Sequence, residues 1–174
     1  PNTLVSNFVT SIIEDSRGTF WVGTWGNGLH TMDRESGTFT HHPYGPNASD
    51  KLSARFSEPQ AEAEGGLRFI HEDNQGALWI GSYGIGLNRY DLETDKLISF
   101  ESDPDDPTSL SSNNVWSMYQ SKDGTQWVGM IPAGGFNKIH STQRPFEHFT
   151  LTPMHPNNFT NIIDVDRSGI LRVN

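Results

Sequence analysis

No cysteine occurs among the 174 residues. Cysteine-ligated zinc, thiolate nucleophiles and disulfides are therefore excluded. A chain without thiols suits an oxidising compartment, although cytosolic chains can lack them too. Cations are scarce as well: 12 Lys and Arg stand against 21 Asp and Glu, a formal net charge of −9. Phosphate backbones and anionic membrane surfaces select clustered Lys and Arg, so neither nucleic acid nor a lipid headgroup layer is an expected partner. No apolar run approaches the length of a membrane span, and no signal peptide opens the chain. The first residue is Pro1 and not Met, as expected of a piece processed or excised from something longer. Material for long helices is also thin, because 17 glycines and 10 prolines interrupt a composition only 33% hydrophobic. Aromatic residues, at 11%, are the abundant apolar class.

These aromatics and glycines recur in order. Three stretches align on a glycine: "EDSRGTFWVGTWGNGLHTMD", "EDNQGALWIGSYGIGLNRYD" and "QSKDGTQWVGMIPAGGFNKIH". A fourth, "DVDRSGILRVN", closes the chain. The anchors are Gly18, Gly76, Gly124 and Gly169, roughly 45–58 residues apart, close to the period of a four-stranded propeller blade. Trp21, Trp79 and Trp127 follow at a fixed offset, with Arg172 in that place in the fourth copy. Each unit reads as four short strands divided by polar turns. The fold expected is all-β: β-propeller blades of four antiparallel strands, three complete and a fourth begun, forming an incomplete ring. Blade boundaries fall at 1–50, 67–112 and 113–158, with a partial blade at 159–174. Residues 51–66 form an inter-blade insertion, expected to be an irregular loop because it is long and rich in Glu, Ala, Ser and Gly.

The repeated positions read as building material. Trp21, Trp79 and Trp127 are expected to fill the space between neighbouring blades. The glycine two residues after each Trp lies on the same strand face and leaves room for an adjacent sheet. Asp15, Asp73 and Asp166 precede the anchor glycine and can hydrogen-bond their own turn, with Ser121 a weaker substitute in the third copy. Gly18, Gly76 and Gly124 supply that turn.

"DPDDPTSLSSNNVWSMYQSKDGTQWVG" and "EDNQGALWIGSYGIGLNRYDLETDKL" resemble the two-component regulator propeller repeats. The Asn-Asn-Val opening, Asp-x-x-Gly-x-x-Trp-[Val/Ile]-Gly and Gly-x-Gly-Leu-x-x-x-Asp carry the likeness over nearly the whole chain. It implies an extracytoplasmic sensor portion of a bacterial hybrid histidine kinase or related signalling protein. The expected location is then periplasmic or extracellular. The third unit departs with "MIPAGGFNKIH", and the fourth lacks its Trp.

Motifs with chemical meaning are few. The bends "GTWGNG" and "GSYGIG" are followed by strands, whereas a phosphate loop needs a helix N-terminus. In "SDPDDP", Thr108 and Asn114 stand where an EF-hand loop requires Gly and Glu, so a solvated turn is expected. His41 and His42 are adjacent on a strand, face opposite sides and cannot easily share a metal. Exposed edge-strand histidines are the expectation there. No catalytic residue, metal or cofactor is expected. The positions that follow the second strands differ between copies, and Trp25, Asn27 and Tyr83 are the candidate ligand contacts, stacking on a sugar ring with Asn27 as the polar partner.

The composite expectation is a non-catalytic, ligand-sensing propeller segment of a signal-transduction protein, with an oligosaccharide as ligand. Its structural partners are the remaining blades of a parent chain or a homodimer mate. The alternatives are a protein-docking scaffold propeller and, more remotely, a propeller glycoside hydrolase or lyase.

Overall fold

The computed structural model describes residues 3–42, 66–131, 135–139, 146–149, 163–165 and 171–173, the last two segments as backbone only. The inter-blade stretch 51–65 lies outside the described residues. Strands β1 (Val9–Glu14), β2 (Phe20–Thr24), β3 (Gly28–Met32) and β4 (Phe39–His42) form one antiparallel sheet in sequence order. The second sheet holds β5 (Leu67–Glu72), β6 (Ala77–Ser82), β7 (Leu87–Asp91) and β8 (Lys96–Phe100). The third holds β9 (Val115–Gln120), β10 (Gln126–Met130), β11 (Phe136–Ile139) and β12 (Phe146–Phe149). A two-stranded start of a fourth comes last, β13 (Ile163–Val165) and β14 (Leu171–Val173). No helix occurs among the described residues.

Register repeats with the sequence. Trp21 pairs with Ile13 and Thr31, Trp79 with His71 and Arg89, and Trp127 with Tyr119 and Lys138. In the partial blade Arg172 pairs with Asp164 at the corresponding rung. The anchor glycines explain how the first two strands of each blade are joined. Gly76 donates its N–H to the Asp73 carbonyl at 2.9 Å, and Asp73 N–H bonds the Ala77 carbonyl at 2.9 Å. This is a three-residue hairpin whose last residue must be left-handed, and Gly76 has φ of 77°. Any side chain there would be strained.

The Asp of the turn does more than the sequence indicated. Asp73 Oδ1 accepts from the Gln75 and Ala77 amides, while Oδ2 accepts the indole N–H of Trp79 at 2.8 Å. Asp15 does the same for Arg17, Thr19 and Trp21. In the third blade Ser121 stands in the place of that Asp, and its hydroxyl bonds Asp123 Oδ1 and the Thr125 carbonyl.

Two clusters sit between successive sheets. Trp21 and Leu29 of the first meet Leu67, Ile70, Leu78 and Ile80 of the second. Trp79 and Leu87 of the second meet Val115, Val128, Met130 and Phe146 of the third, with Leu110 from the connection. Trp21 and Trp79 thus act as inter-blade filler; Trp127 is half-buried, against Phe136 and Phe149. The room beside the glycines is used in two ways. A Cβ on Gly23 would stand in ordinary contact with Leu67 Cβ at 3.4 Å and Ile70 Cδ1 at 3.5 Å of the next blade and with Thr10 Oγ1 at 3.4 Å of its own, so the adjacent sheet does come close there. A Cβ on Gly81 would instead overlap the ring of Phe69, which belongs to the same sheet. There the glycine makes space for its own sheet's aromatic, so the expectation of a neighbouring sheet is corrected at that position.

Candidate functional site

Every first strand of the three complete blades carries a bulge at its second residue. Pairing jumps from Val9 to Ser11, from Leu67 to Phe69 and from Val115 to Ser117, so Thr10, Arg68 and Trp116 stand outside the ladder. A bulge bends the strand and re-aims the extra side chain. Strand β5 neighbours both β1 and β9, which sets the bulges along the inner side of the array. They lie at the strand ends nearest the bends that join second to third strands. Backbone bonds tie those bends to the strand entries: Trp25 N–H to the Phe8 carbonyl at 2.9 Å, Tyr83 N–H to Gly66 at 3.2 Å and Ile131 N–H to Asn114 at 3.1 Å.

The result is an aromatic and cationic cluster built from three blades. The Arg68 Cζ lies 3.8 Å from the Trp116 ring centroid, 4.0 Å from that of Trp25 and 5.8 Å from that of Tyr83. Phe8 extends the apolar surface, its ring centroid 5.9 Å from that of Trp25. Arg68 Nε is buried without a hydrogen-bond partner, and no carboxylate among the described residues pairs with this guanidinium. Burial draws its pKa down, with Tyr83 opposing; it stays a cation at any physiological pH.

Two of the three residues singled out from sequence, Trp25 and Tyr83, are therefore brought together. Asn27 is not among the contacts of Arg68; its carbonyl accepts a hydrogen bond from His41 Nε2 at 2.9 Å. Arg68 and Trp116 escaped the sequence reading. The signal available was that copies disagree most at this place, with Thr, Arg and Trp in three otherwise parallel strands.

The opposite face is built differently. A cleft of about 450 Å³ opens between the second and third blades, lined by Asp73, Gln75, Trp79, Arg89, Gln120 and Lys138 among others. Its cations are engaged. Arg89 Nε lies 3.4 Å from Asp73 Oδ2 and its Nη2 donates to Gln75 Oε1 at 3.2 Å, while Lys138 Nζ lies 4.0 Å from Glu147.

The histidine pair points to opposite sides, as its spacing requires. His41 stacks on His30 with centroids 4.5 Å apart, and His42 packs near Trp21 at 6.1 Å. Both are half-buried and packed, which corrects the expectation of exposed edge histidines: the third strand of this blade carries His30, whose fully buried ring gives His41 a stacking surface. In "SDPDDP", Asp103 Oδ1 accepts from the Asp105 amide and Asp106 Oδ1 from the Thr108 amide, as in ordinary capped turns. Among the described residues no three His, Asp or Glu side chains form a group that could hold a metal ion. No helix of the described residues is long and apolar enough to cross a membrane.

The sheets, their stacking and the recurrent hairpins define a β-propeller segment. Residues 3–26 match the family model described as two component regulator propeller, and the chain carries this repeat. Histidine kinase P4 of Formosa agariphila is 32% identical over 118 residues, 68% of this chain and 8% of the relative. Among solved structures, the extracellular domain assigned to the hybrid two component system BT3049 of B. thetaiotaomicron aligns with a TM-score of 0.79 at 24% identity, over 99% of this chain and 22% of that one. The corresponding domain of BT4673 from the same organism aligns at 0.67 and 22%, over 99% and 21%. Virginiamycin B lyase of Staphylococcus aureus reaches 0.59 at 11% identity, over 95% of this chain and 55% of that one. These structural likenesses establish the propeller fold. The chain covers 8% of the length of Histidine kinase P4.

Proposed function

We propose that this chain is a non-catalytic, ligand-sensing propeller segment of a bacterial signal-transduction protein, working outside the cytoplasm, and that it contributes a saccharide-binding face. The repeat family, the kinase relative and the extracellular-domain neighbours support the signalling assignment. The observation that carries the binding assignment is the cluster of Trp25, Tyr83 and Trp116 around Arg68, drawn from three blades. Aromatic faces stack on the apolar face of a pyranose, and a site shared by several blades couples occupancy to their relative placement. Ligand would then favour one arrangement of the blades over another, which is how a population shift is transmitted.

Calorimetric titration with a panel of oligosaccharides tests this directly. Binding by the wild-type chain and its loss in Trp25→Ala, with an unchanged circular dichroism spectrum, is the expected result. Absence of binding across the panel, or full binding by Trp25→Ala, would remove the saccharide assignment.

A further inference from the structure

The chemistry around Arg68 says more about the ligand than that it carries a ring, and this deeper assignment rests on the saccharide-binding face proposed for the same cluster. A guanidinium offers five N–H donors in its own plane and no acceptor. Its Cζ lies 4.0 Å from the Trp25 and 3.8 Å from the Trp116 ring centroid, cation–π contacts that supply no hydrogen-bond acceptor of the strength of a carboxylate. Nε is already out of water and has no acceptor among the described residues. Elsewhere in the same blade the corresponding need is met internally, since Arg89 beside Trp79 has Asp73 and Gln75. Arg68 has the aromatic neighbours without the carboxylate. It is also the bulge residue of its strand, so its side chain is delivered by the backbone distortion and not by ladder pairing.

We infer that Arg68 is the seat for an anionic group, a carboxylate or a sulfate, carried by the bound saccharide. A planar fork in contact with two indoles can take two oxygens side by side, which a lysine cannot do. Partial desolvation strengthens the charge-assisted bonds that an anion would make there. The stacked rings and the fork select together: the rings bind the sugar face, and the fork selects the acidic substituent. The net charge of −9 makes general attraction of polyanions to this chain unfavourable, so selectivity for an acidic sugar must come from the local site.

The test uses trigalacturonate, its fully methyl-esterified form, a trisaccharide bearing galactose 6-sulfate, and the same trisaccharide without sulfate. Each is titrated into the wild-type chain, Arg68→Gln and Arg68→Lys, with thermal melting to verify folding. The inference requires that the carboxylate or the sulfate arm bind about tenfold or more tightly than its neutral counterpart, the scale of a charge-assisted hydrogen bond. Whichever arm shows the preference identifies the anion. Arg68→Gln should erase the preference and Arg68→Lys restore only part of it. Should Arg68→Gln fail to fold, the wild-type comparison of acid with ester still decides. Equal affinity for charged and neutral forms, still dependent on Trp25, would overturn the anion seat and leave the saccharide face intact. Lack of binding by all four would overturn both.

Discussion

Arg68 and Arg89 belong to the same sheet, and each lies against tryptophan, yet they serve different ends. Arg89, on β7, lies 5.9 Å from the Trp79 ring centroid, 3.4 Å from Asp73 and against Gln75. It is 9% exposed and its polar atoms are engaged inside the blade. Arg68, on the bulge of β5, lies against two indoles and has no carboxylate partner among the described residues. The first arrangement recurs in part with the repeat: Asp15 and Asp73 both hold a Trp indole. The second occurs once, at a position where each blade carries a different residue. The contrast separates parts of a blade that build the stack from parts free to recognise something else.

The largest effect expected is at Trp79. It is 2% exposed and packed against Leu87, Val115 and Val128, so Trp79→Ala should cost roughly 3–5 kcal/mol by denaturant melting. Trp25→Ala, on the proposed binding face, should cost only about 1 kcal/mol. Equal losses would break the division between building and binding faces.

The same division can be sharpened with one residue type. Ile12 and Ile70 occupy equivalent places in successive first strands, yet Ile12 is 61% exposed and Ile70 4%. The difference comes from the neighbouring sheet, because the preceding blade covers Ile70. Ile70→Ala should lower stability by roughly 2–5 kcal/mol and Ile12→Ala by under about 0.5 kcal/mol, again by denaturant melting. Similar values at both sites would mean that blade contacts do not set stability.

A smaller effect belongs to the turn carboxylate. Asp73→Asn can keep an oxygen for the two backbone amides but puts an NH2 donor where Oδ2 accepts from Trp79 and Arg89, and should cost about 1–3 kcal/mol. The third blade lacks this device, so Ser121→Ala should change the melting midpoint far less.

The mildest prediction concerns pH. Burial, and then the charges of His41 and His42, hold the pKa of His30 at about 4, below its ordinary 6.5. Unfolding returns the ring to 6.5, so between these values the unfolded chain binds the extra proton. Stability is therefore undiminished above pH 6.5 and declines as pH falls toward 4. His71, lowered mainly by burial with Asp73 and Glu72 opposing, acts in the same direction. Asn88 and Asn137 stand where His30 does in the other two blades. His30→Asn should flatten the acid limb of a melting-temperature profile, and an unchanged limb would exclude His30 as its source.

The strands of the three complete blades were legible in the sequence because repetition averages out the ambiguity of any one strand. The Trp, the anchor glycine and the turn Asp could be placed from spacing alone. The bond from Asp73 to the Trp79 indole could not: it joins residues six apart across a hairpin and needs the register before it can be seen. The proposed binding face was half legible. Trp25 and Tyr83 stood out as large residues in glycine bends, but Arg68 and Trp116 were hidden inside ordinary strand patterns. Only the bulge turns them out of the ladder, and a bulge leaves no mark in strict alternation.

Hydrogen exchange with the selected acidic oligosaccharide compares the two faces in one measurement. Slowed exchange at residues 24–28, 66–69, 82–86 and 113–117, with 73–76 and 120–126 unchanged, is the result predicted by a binding face centred on Arg68. Protection confined to 73–76 and 120–126 would place the ligand in the cleft beside Arg89 and contradict the account.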